Sequence, residues 1–314
     1  MNIIYNLPKF PVRSAISHKG DYGVIVGVGG SRGMSGSISL AGRAGLLVGA
    51  GLSRLAVPSV ILETVAGFYP DYTTIPLSCD CEGKISFDAI DKILEVAESA
   101  TSLFIGTGLG RSDWLDKLVP DILQRLDDYG RIRGIVVDAD ALNALCGQIP
   151  TFRNKKVIFT PHEGEFNRLL QHTELGVVPD EYDLASRINI TKIFAERYNL
   201  IMVLKGSVTI VTDGEEVFIN DKSGNPGMAT GGSGDILTGM TSGLIARGFS
   251  VFDAAKLGVY LHGVSGDIAA KKYGVESVIA TYILESIPKA IINYTLNDNN
   301  IASQRDANLI KFEF

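Results

Sequence analysis

The sequence predicts an α/β fold with a mainly parallel central sheet, helices on both faces and an antiparallel hairpin at one edge. Short apolar segments alternate with segments of helical period along most of the 314 residues, a pattern typical of buried parallel strands and crossover helices. The segments 208–214 and 215–220 flank Asp213-Gly214, a pair typical of a tight hairpin turn. Polar residues directly follow several strands, and parallel sheets bind ligands at that end of their strands.

The predicted elements follow one another without a linker or an internal repeat. Strands are predicted at 23–28, 103–106, 134–140, 156–160, 201–206, 208–214 and 215–220, and helices at 37–50, 114–126, 141–145, 163–170, 234–247 and 251–272. Pro120 lies inside the second helix, where we expect it to bend or restart the helix. No break in composition occurs before about residue 285. We therefore expect one domain over residues 1–284 and a peripheral C-terminal tail over 285–314.

Composition and charge exclude several classes of protein. Hydrophobic residues make up 46% and charged residues 20%, which indicates a soluble globular enzyme or binding protein. The net charge of -6, without a cluster of Lys or Arg, argues against a nucleic-acid surface. No apolar run reaches the roughly 18 residues of a membrane span. Pro8 and Pro11 interrupt the N-terminal segment, so no secretion signal is predicted there. The segment lacks acidic residues and contains Lys9 and Arg13, which leaves a short organelle transit segment as an alternative, and we expect a cytoplasmic protein.

Three cysteines, Cys79, Cys81 and Cys146, are too few for a disulfide framework. Cys79 and Cys81 lack the second Cys or His pair that a zinc site needs. We therefore expect three free thiols.

The segment NPGMATGGSGDILTGM, residues 225–240, is the most informative stretch of the chain. Gly231, Gly232 and Gly234 precede a predicted helix, so backbone N–H groups and the helix dipole could bind an anion. Asp235 would be repelled by a phosphate there, which suits a base that takes a proton from a hydroxyl attacking phosphorus. In the alternative interpretation, Asp235 only caps the helix and the glycines form a tight turn.

Other glycine and histidine motifs are less specific. The chain has no Walker loop, and GVGGSRG (27–33) misses the dinucleotide-binding pattern because Arg32 takes the last glycine position. GTGLG (106–110) fits a bare turn as well as a loop beneath a substrate. His162, in TPHEGEF, follows a strand and is either a structural or a ligand-binding residue. We interpret His262 and Asp267, in LHGVSGDIAA, as packing residues.

Taken in order, eight segments between about residues 15 and 275 resemble the NAD(P)H-hydrate dehydratases of the ribokinase-like superfamily. They are KGDYG, GGSRGMSGSISLAGRAGLLVGAGL, GTGLG, VVDADALNAL, FTPHEGEFNRLL, LKGSVTIVTDG, NPGMATGGSGDILTGM and YLHGVSGDIAA. The resemblance implies an enzyme that uses a nucleotide and Mg²⁺ to phosphorylate the ring hydroxyl of hydrated NADH or NADPH. Elimination of the phosphate then restores the dihydropyridine.

The resemblance also implies roles for individual residues. Asp235 would activate the hydroxyl, and Asp138 and Asn143 match the region near the phosphates and the metal, whose ligands are left unassigned. The remaining roles are an anion hole of Gly232, Ser233 and Gly234; nucleotide contacts by Lys205, Gly206, Ser207, Val208, Thr209 and Gly234; and substrate contacts by Ser37, Gly110, His162 and Asp235.

The chain departs from the family pattern in two substrate loops. Thr107 stands where the family usually has Pro, and Ser35 and Ser37 belong to SGS where TGA is common. The chain also lacks the epimerase domain that many relatives carry. We therefore expect it to act on the S-epimer of the hydrate and to depend on a separate epimerase. ADP is the expected donor with ATP as the alternative, and a homotetramer is implied by the resemblance.

Two other functions stay open from the sequence. A kinase of a small alcohol, such as hydroxyethylthiazole or a sugar, would keep the glycine loop and Asp235 but would not need TPHEGE. A nucleotide sensor without catalysis would not need the carboxylate of Asp235. Asp235→Asn separates the sensor from both enzymes.

Overall fold

A computed structural model describes residues 2–302, and its central element is one mixed sheet. Within these residues the sheet has ten strands: β1 (Asn2–Ile4), β2 (Val24–Val28), β3 (Leu52–Pro58), β4 (Thr73–Leu77), β5 (Ser102–Ile105), β6 (Gly134–Val137), β7 (Val157–Phe159), β8 (Ile201–Leu204), β9 (Thr209–Thr212) and β10 (Glu216–Asn220). Their spatial order is β1-β10-β9-β8-β7-β6-β5-β2-β3-β4. The predicted class, mainly parallel with an antiparallel hairpin, is confirmed.

The hairpin of β9 and β10 lies next to one edge of the sheet. β9 pairs antiparallel with both β8 and β10, whereas every other pairing between the named strands is parallel. β1, which the sequence pattern did not predict, pairs with β10 and forms the edge itself. A single reversed strand therefore accounts for the mixed character of the sheet.

Helices cover both faces of this sheet, as predicted. They are α1 (Ser35–Leu47), α2 (Leu62–Phe68), α3 (Ile90–Ala97), α4 (Leu115–Leu126), α5 (Asp140–Ala144), α6 (Glu163–Leu170), α7 (Leu184–Tyr198), α8 (Ser233–Arg247), α9 (Val251–Tyr273) and α10 (Ala280–Ala302). Residues of α3 to α7 belong to one buried apolar cluster, and residues of α1, α2, α8, α9 and α10 belong to the other. None of the helices described here is long and apolar enough to cross a membrane.

Side chains of the central strands alternate between the two buried clusters. In β5, Leu103 and Ile105 lie in one cluster while Phe104 lies in the other, and all three are fully buried. This is the period of two that a strand imposes. Because both faces are buried, the strands read as uninterrupted apolar segments in the sequence.

The strand order reverses between β2 and β5. The chain leaves β2 towards β3 and β4 on one side, and then returns to place β5 on the other side. The loops after these two strands meet at the reversal: Gly30 N–H donates to the Thr107 carbonyl at 2.8 Å and the Ser31 hydroxyl to the Gly108 carbonyl at 2.8 Å. A crevice of this kind is the usual ligand site in an open α/β sheet.

α4 continues through Pro120, where a bend or restart was predicted. Proline removes the N–H that would bond to the Asp116 carbonyl one turn earlier. The side-chain amide of Gln148 donates to that carbonyl instead. The unpaired acceptor is thus satisfied from outside the helix.

α10 crosses the boundary predicted at residue 284. Ile287 and Ala290 are fully buried in the apolar cluster that contains α8 and α9. The beginning of the predicted tail is therefore packed against the domain, while residues 303–314 of that tail lie outside the described residues.

α1 and α8 are in unusually close contact. An added Cβ at Gly239 in α8 would overlap the carbonyl group of Ala41 in α1, and one at Gly45 would lie 3.0 Å from the Gly239 carbonyl oxygen. We call this glycine-lined contact between α1 and α8 the helix seam. The absence of side chains there lets the two backbones touch.

Gly239→Ala is expected to lower the free energy of unfolding by about 1–3 kcal/mol, because the helices must separate to admit a methyl group. Urea denaturation measures this change. Gly67→Ala in α2 is the matched control, since no atom lies within 4 Å of its added Cβ, and it should be neutral or stabilising by up to about 1 kcal/mol. Equal effects of the two substitutions would contradict the role assigned to the helix seam.

Candidate active site

The glycine loop ends where α8 begins. Gly232 is the N-cap residue with φ +90°, a conformation that favours glycine. Ser233 N–H bonds to the Thr230 carbonyl at 3.3 Å, whereas the N–H groups of Gly234 and Asp235 have no hydrogen-bond acceptor among the described residues. Two free amides at the positive end of a 15-residue helix can bind an anion.

An ion pair between the partly buried Lys205 and the buried Asp138 lies beside the first turn of α8. Lys205 Nζ is 2.9 Å from Asp138 Oδ1 and 3.9 Å from Glu165 Oε2. The Thr238 hydroxyl donates to Asp138 Oδ2 at 2.7 Å. Burial alone would lower the pKa of Lys205, but the charges of Asp138 and Glu165 outweigh it and raise that pKa. Lys205 is therefore a fixed positive charge beside the amides.

Gly234 keeps this charge accessible. A Cβ added to Gly234 would lie 3.3 Å from Lys205 Nζ and 3.7 Å from Asp138 Oδ2. Any side chain there would fill the space between the helix end and the ammonium group. The glycine thus leaves room for a ligand anion to contact both.

The backbone between the two aspartates is strained. Ala139 has φ +50° and ψ -120°, which costs energy for a residue with a Cβ. An added Cβ at Gly106 would overlap the Asp138 carbonyl group, so this close approach requires glycine. The tight turn places Asp138 on Lys205 and lets Asp140 Oδ2 accept a hydrogen bond from Gly110 N–H at 2.8 Å.

Asp235 is partly buried among groups of both signs. Burial raises its pKa from 3.8 to about 6, and the Asp138 charge adds to this effect. A hydrogen bond with Ser37 and the charge of Lys205 oppose the shift without cancelling it. Near neutral pH the carboxylate is therefore ionised but basic enough to accept a proton.

The raised pKa of Asp235 makes the free energy of unfolding depend on pH. Because the folded-state pKa lies above the unfolded value, its stabilising contribution is complete below about pH 4 and is lost as the pH rises through 6. A rise from 3.8 to about 6 corresponds to about 3 kcal/mol.

Asp235→Asn is accordingly expected to be up to about 3 kcal/mol more stable than the parent at pH 8. The difference should shrink as the pH is lowered towards 4.5. Denaturation curves of both proteins at several pH values measure it. A constant difference across this range would contradict the raised pKa.

A cavity of about 790 Å³ opens beside the end of α8. Its wall includes seven residues with predicted roles: His162, Lys205, Gly206, Ser207, Thr209, Ser233 and Gly234. This volume is typical of a site for a small organic ligand. Val208, also predicted to contact the nucleotide, is not part of the wall.

The structure places His162 with the predicted nucleotide-binding residues. Its side chain is 57% exposed, and its Nδ1 accepts from Glu165 N–H at 3.3 Å while Glu165 Oε2 accepts from His162 N–H at 2.8 Å. This reciprocal pair caps α6. His162 therefore has a structural role and also faces the cavity.

Two other predicted substrate residues, Ser37 and Gly110, lie outside the cavity wall, and Ser37 is hydrogen-bonded to Asp235. A Cβ on Gly108 would be 3.0 Å from Ser37 Cβ, and one on Gly110 would be 3.5 Å from Met34 Cε. Thr107 is fully buried and its hydroxyl has no partner among the described residues. Asn143, in contrast, is engaged by Arg168, whose Nε donates to its Oδ1 at 2.8 Å.

Sequence reasoning missed part of the cavity wall. The loop between β10 and α8 contributes Ser223, Gly224 and Asn225. Asp267 fixes this loop by accepting from Gly224 N–H at 3.0 Å and from Asn225 Nδ2 at 2.9 Å. His262 is on the wall itself. Both side chains were interpreted as packing residues because helical position alone does not reveal what a side chain faces.

The described residues form no self-contained metal site. Among the described residues, no three His, Cys, Asp or Glu side chains are placed to hold a metal ion together. Both oxygens of Asp138 already accept hydrogen bonds from Lys205 and Thr238. All three cysteines are free thiols, as predicted.

Comparison with known proteins agrees with this architecture. A family model described as NAD(P)H-hydrate dehydratase matches residues 24–289. The bifunctional NAD(P)H-hydrate repair enzyme of Moorella thermoacetica is 39% identical over 91% of this chain and 52% of its own length. The chain thus spans about half the length of the curated relatives it matches.

Two solved structures are similar over almost their whole length. A ribokinase-like superfamily protein from Enterococcus faecalis has a TM-score of 0.76 and 27% identity, covering 91% of this chain and 92% of that protein. The ADP/ATP-dependent NAD(P)H-hydrate dehydratase from Bacillus subtilis, co-crystallised with ATP and Mg²⁺, has a TM-score of 0.73 and 26% identity, covering 90% and 94%.

Proposed function

The chain belongs to the NAD(P)H-hydrate dehydratase family, and from this membership we propose that it converts hydrated NADH and NADPH back to the reduced cofactors. The observation that carries the proposal is the position of Asp235. A carboxylate with a pKa of about 6 lies beside two free backbone amides and a partly buried ammonium group. This arrangement suits proton removal from a hydroxyl during transfer of a phosphoryl group.

The proposed reaction has two stages. The Asp235 carboxylate takes the proton of the ring hydroxyl while the hydroxyl oxygen bonds to the terminal phosphorus of the nucleotide. The bond between that phosphorus and the rest of the nucleotide breaks, and the shortened nucleotide leaves. The carbon–oxygen bond then breaks, with electrons supplied by the ring nitrogen and the phosphate as leaving group. Loss of a proton from the adjacent ring carbon restores the double bond. The amides of Gly234 and Asp235, with Lys205, bind the charge of the transferred group.

We assign the nucleotide to the 790 Å³ cavity and the hydrate to the loops around Ser37 and Gly110. Asp235 would then lie between the two ligands. The Bacillus subtilis relative is named for ADP and ATP and was crystallised with ATP and Mg²⁺. ADP is the proposed donor here, with ATP as the alternative.

Mg²⁺ fits this site as a companion of the nucleotide. It commonly binds phosphate oxygens and water together with one or two carboxylates, and the carboxylates closest to Lys205 on the cavity wall are those of Asp138 and Glu165. Bound there, it would neutralise phosphate charge during transfer. The proposal also keeps specificity for the S-epimer, a separate epimerase for the other epimer, a tetrameric assembly and a cytoplasmic location.

The test uses purified protein, Mg²⁺ and hydrated NADH prepared as a mixture of epimers. Absorbance of the dihydronicotinamide band should recover when ADP or ATP is added, with one phosphate released per cofactor restored. Recovery should stop partway and resume when an epimerase is added. The faster nucleotide identifies the donor.

Absence of recovery with either nucleotide, in folded protein that binds nucleotide, would overturn the proposal. Small alcohols such as hydroxyethylthiazole would then be tested as phosphoryl acceptors. Phosphorylation of such an alcohol would favour the kinase alternative, and nucleotide binding without any turnover would favour the sensor.

A further inference from the structure

One polar contact at the end of α8 has no role in the reaction described above. Ser233 Oγ lies 3.2 Å from Nε2 of His262, which projects from the middle of α9. Ser233 is only 7% exposed, and both residues line the cavity. Ser233 is also the residue between Gly232 and Gly234, in the first turn of α8 whose Gly234 and Asp235 amides are free.

The environment of His262 keeps its ring neutral. Burial lowers the pKa of His262 to about 4, and the charge of Lys205 lowers it further, although a hydrogen bond to the Ser233 backbone opposes this. A neutral imidazole has one N–H donor and one acceptor nitrogen. When Nε2 carries the proton, it donates to Ser233 Oγ and leaves the hydroxyl hydrogen of Ser233 free to point elsewhere.

The backbone N–H of Ser233 cannot act as a hydrogen-bond donor to a ligand in place of the hydroxyl. Its N–H is already bonded to the Thr230 carbonyl at 3.3 Å. A serine hydroxyl rotates freely unless a partner fixes it, and the His262 ring is the partner that the structure provides.

We propose that His262 is a positioning residue that orients the Ser233 hydroxyl towards the terminal phosphoryl group of the nucleotide. The hydroxyl then donates a third hydrogen bond to that group, beside the amides of Gly234 and Asp235. This inference rests on the proposed function for the identity of the ligand. His262 itself acts only through Ser233.

The test compares binding of ADP, ATP and AMP by calorimetry in the full chain. AMP is the matched ligand because it lacks the terminal phosphoryl group. His262→Leu should weaken binding of the preferred donor roughly tenfold, the value of a hydrogen bond to a charged group, and change AMP binding less than about twofold. His262→Gln, whose amide can donate from a similar position, should restore most of the loss.

Ser233→Ala supplies the second arm of the test. It should weaken donor binding as much as His262→Leu does, and the double variant should show no further loss, because both substitutions remove one interaction. If His262→Leu fails to fold, the comparison of donor and AMP binding by Ser233→Ala tests whether the Ser233 hydroxyl contacts the terminal phosphoryl group.

Additive losses in the double variant, or equal weakening of AMP and the donor by His262→Leu, would overturn the inference. The ring would then be part of the cavity wall. Nucleotide binding that follows the expected pattern in a protein without repair activity would leave this inference standing and reject the proposed function instead.

Discussion

Asp235→Asn is expected to reduce kcat for hydrate dehydration by at least about 10²-fold, because an amide cannot accept the proton of the attacking hydroxyl. Asparagine has nearly the same shape and caps helices as well as aspartate does. If Asp235 only capped α8, the variant would keep its activity. Initial rates at saturating nucleotide measure the change in kcat. Asp128→Asn, which replaces an exposed carboxylate, is the control and should leave kcat unchanged.

Nucleotide binding should survive this substitution. Removing a negative charge near the phosphates removes a repulsion, so the Kd of the nucleotide is expected to stay equal or to decrease. In the parent, kcat should fall as the pH drops below about 6, where Asp235 becomes protonated. Retained activity in the variant would reject Asp235 as the base.

Lys205→Met is expected to lower the free energy of unfolding by about 3–5 kcal/mol, because it leaves a buried carboxylate without its cation. Asp138 is only 2% exposed and would keep Thr238 as its remaining close partner. Donor binding should be lost as well, since Lys205 lines the cavity. Denaturation at pH 7 and calorimetry measure the two effects.

The control is an ion pair of the same length on the surface. Lys92 and Glu95 are also 2.9 Å apart, but their side chains are 45% and 65% exposed. Lys92→Met should therefore change stability by less than about 1 kcal/mol. Adding Asp138→Asn to Lys205→Met should recover much of the stability but not the binding. Additive destabilisation in the double variant would argue against a coupled pair.

Central strands were predictable because burial on both faces leaves a clear signal. β5, β6 and β8 are four-residue segments whose members are all buried and, apart from Ser102 and Gly134, apolar, and each is followed by a polar or glycine residue. The hairpin was predictable for a different reason, since Asp213 and Gly214 specify its turn. Gly214 has the positive φ that such a turn requires.

Edge strands gave no such signal. β4 contains Pro76, which argues against a strand in a sequence, yet β4 is the last strand of the sheet and Pro76 is exposed there. β3 is not an edge strand but lies beside β4, and its apolar pattern is interrupted by Arg54, whose guanidinium donates to the Ser99 hydroxyl at 2.7 Å. Tertiary contacts of this kind cannot be read from local pattern.

The candidate site was partly predictable for the same physical reason. Asp138 and Lys205 follow strands, so the rule that ligands bind at the carboxyl ends of parallel strands groups these two. Asp235 was predicted from the glycine loop that precedes it. The contact between His262 and Ser233, in contrast, joins residues 29 positions apart on two helices. Nothing in the spacing of either segment indicates that these faces meet.

The helix seam has a consequence for motion. α1 and α8 begin near the two proposed ligand positions, and backbone contact between them leaves no layer of side chains that could slide. We therefore expect no hinge closure between these two helices, and we expect the surface loops and the ligands themselves to exclude water from the site. Amide hydrogens in the middle of α8 should accordingly exchange with solvent only on global unfolding. Bound nucleotide should slow this exchange only by the factor that its stabilisation of the folded state predicts.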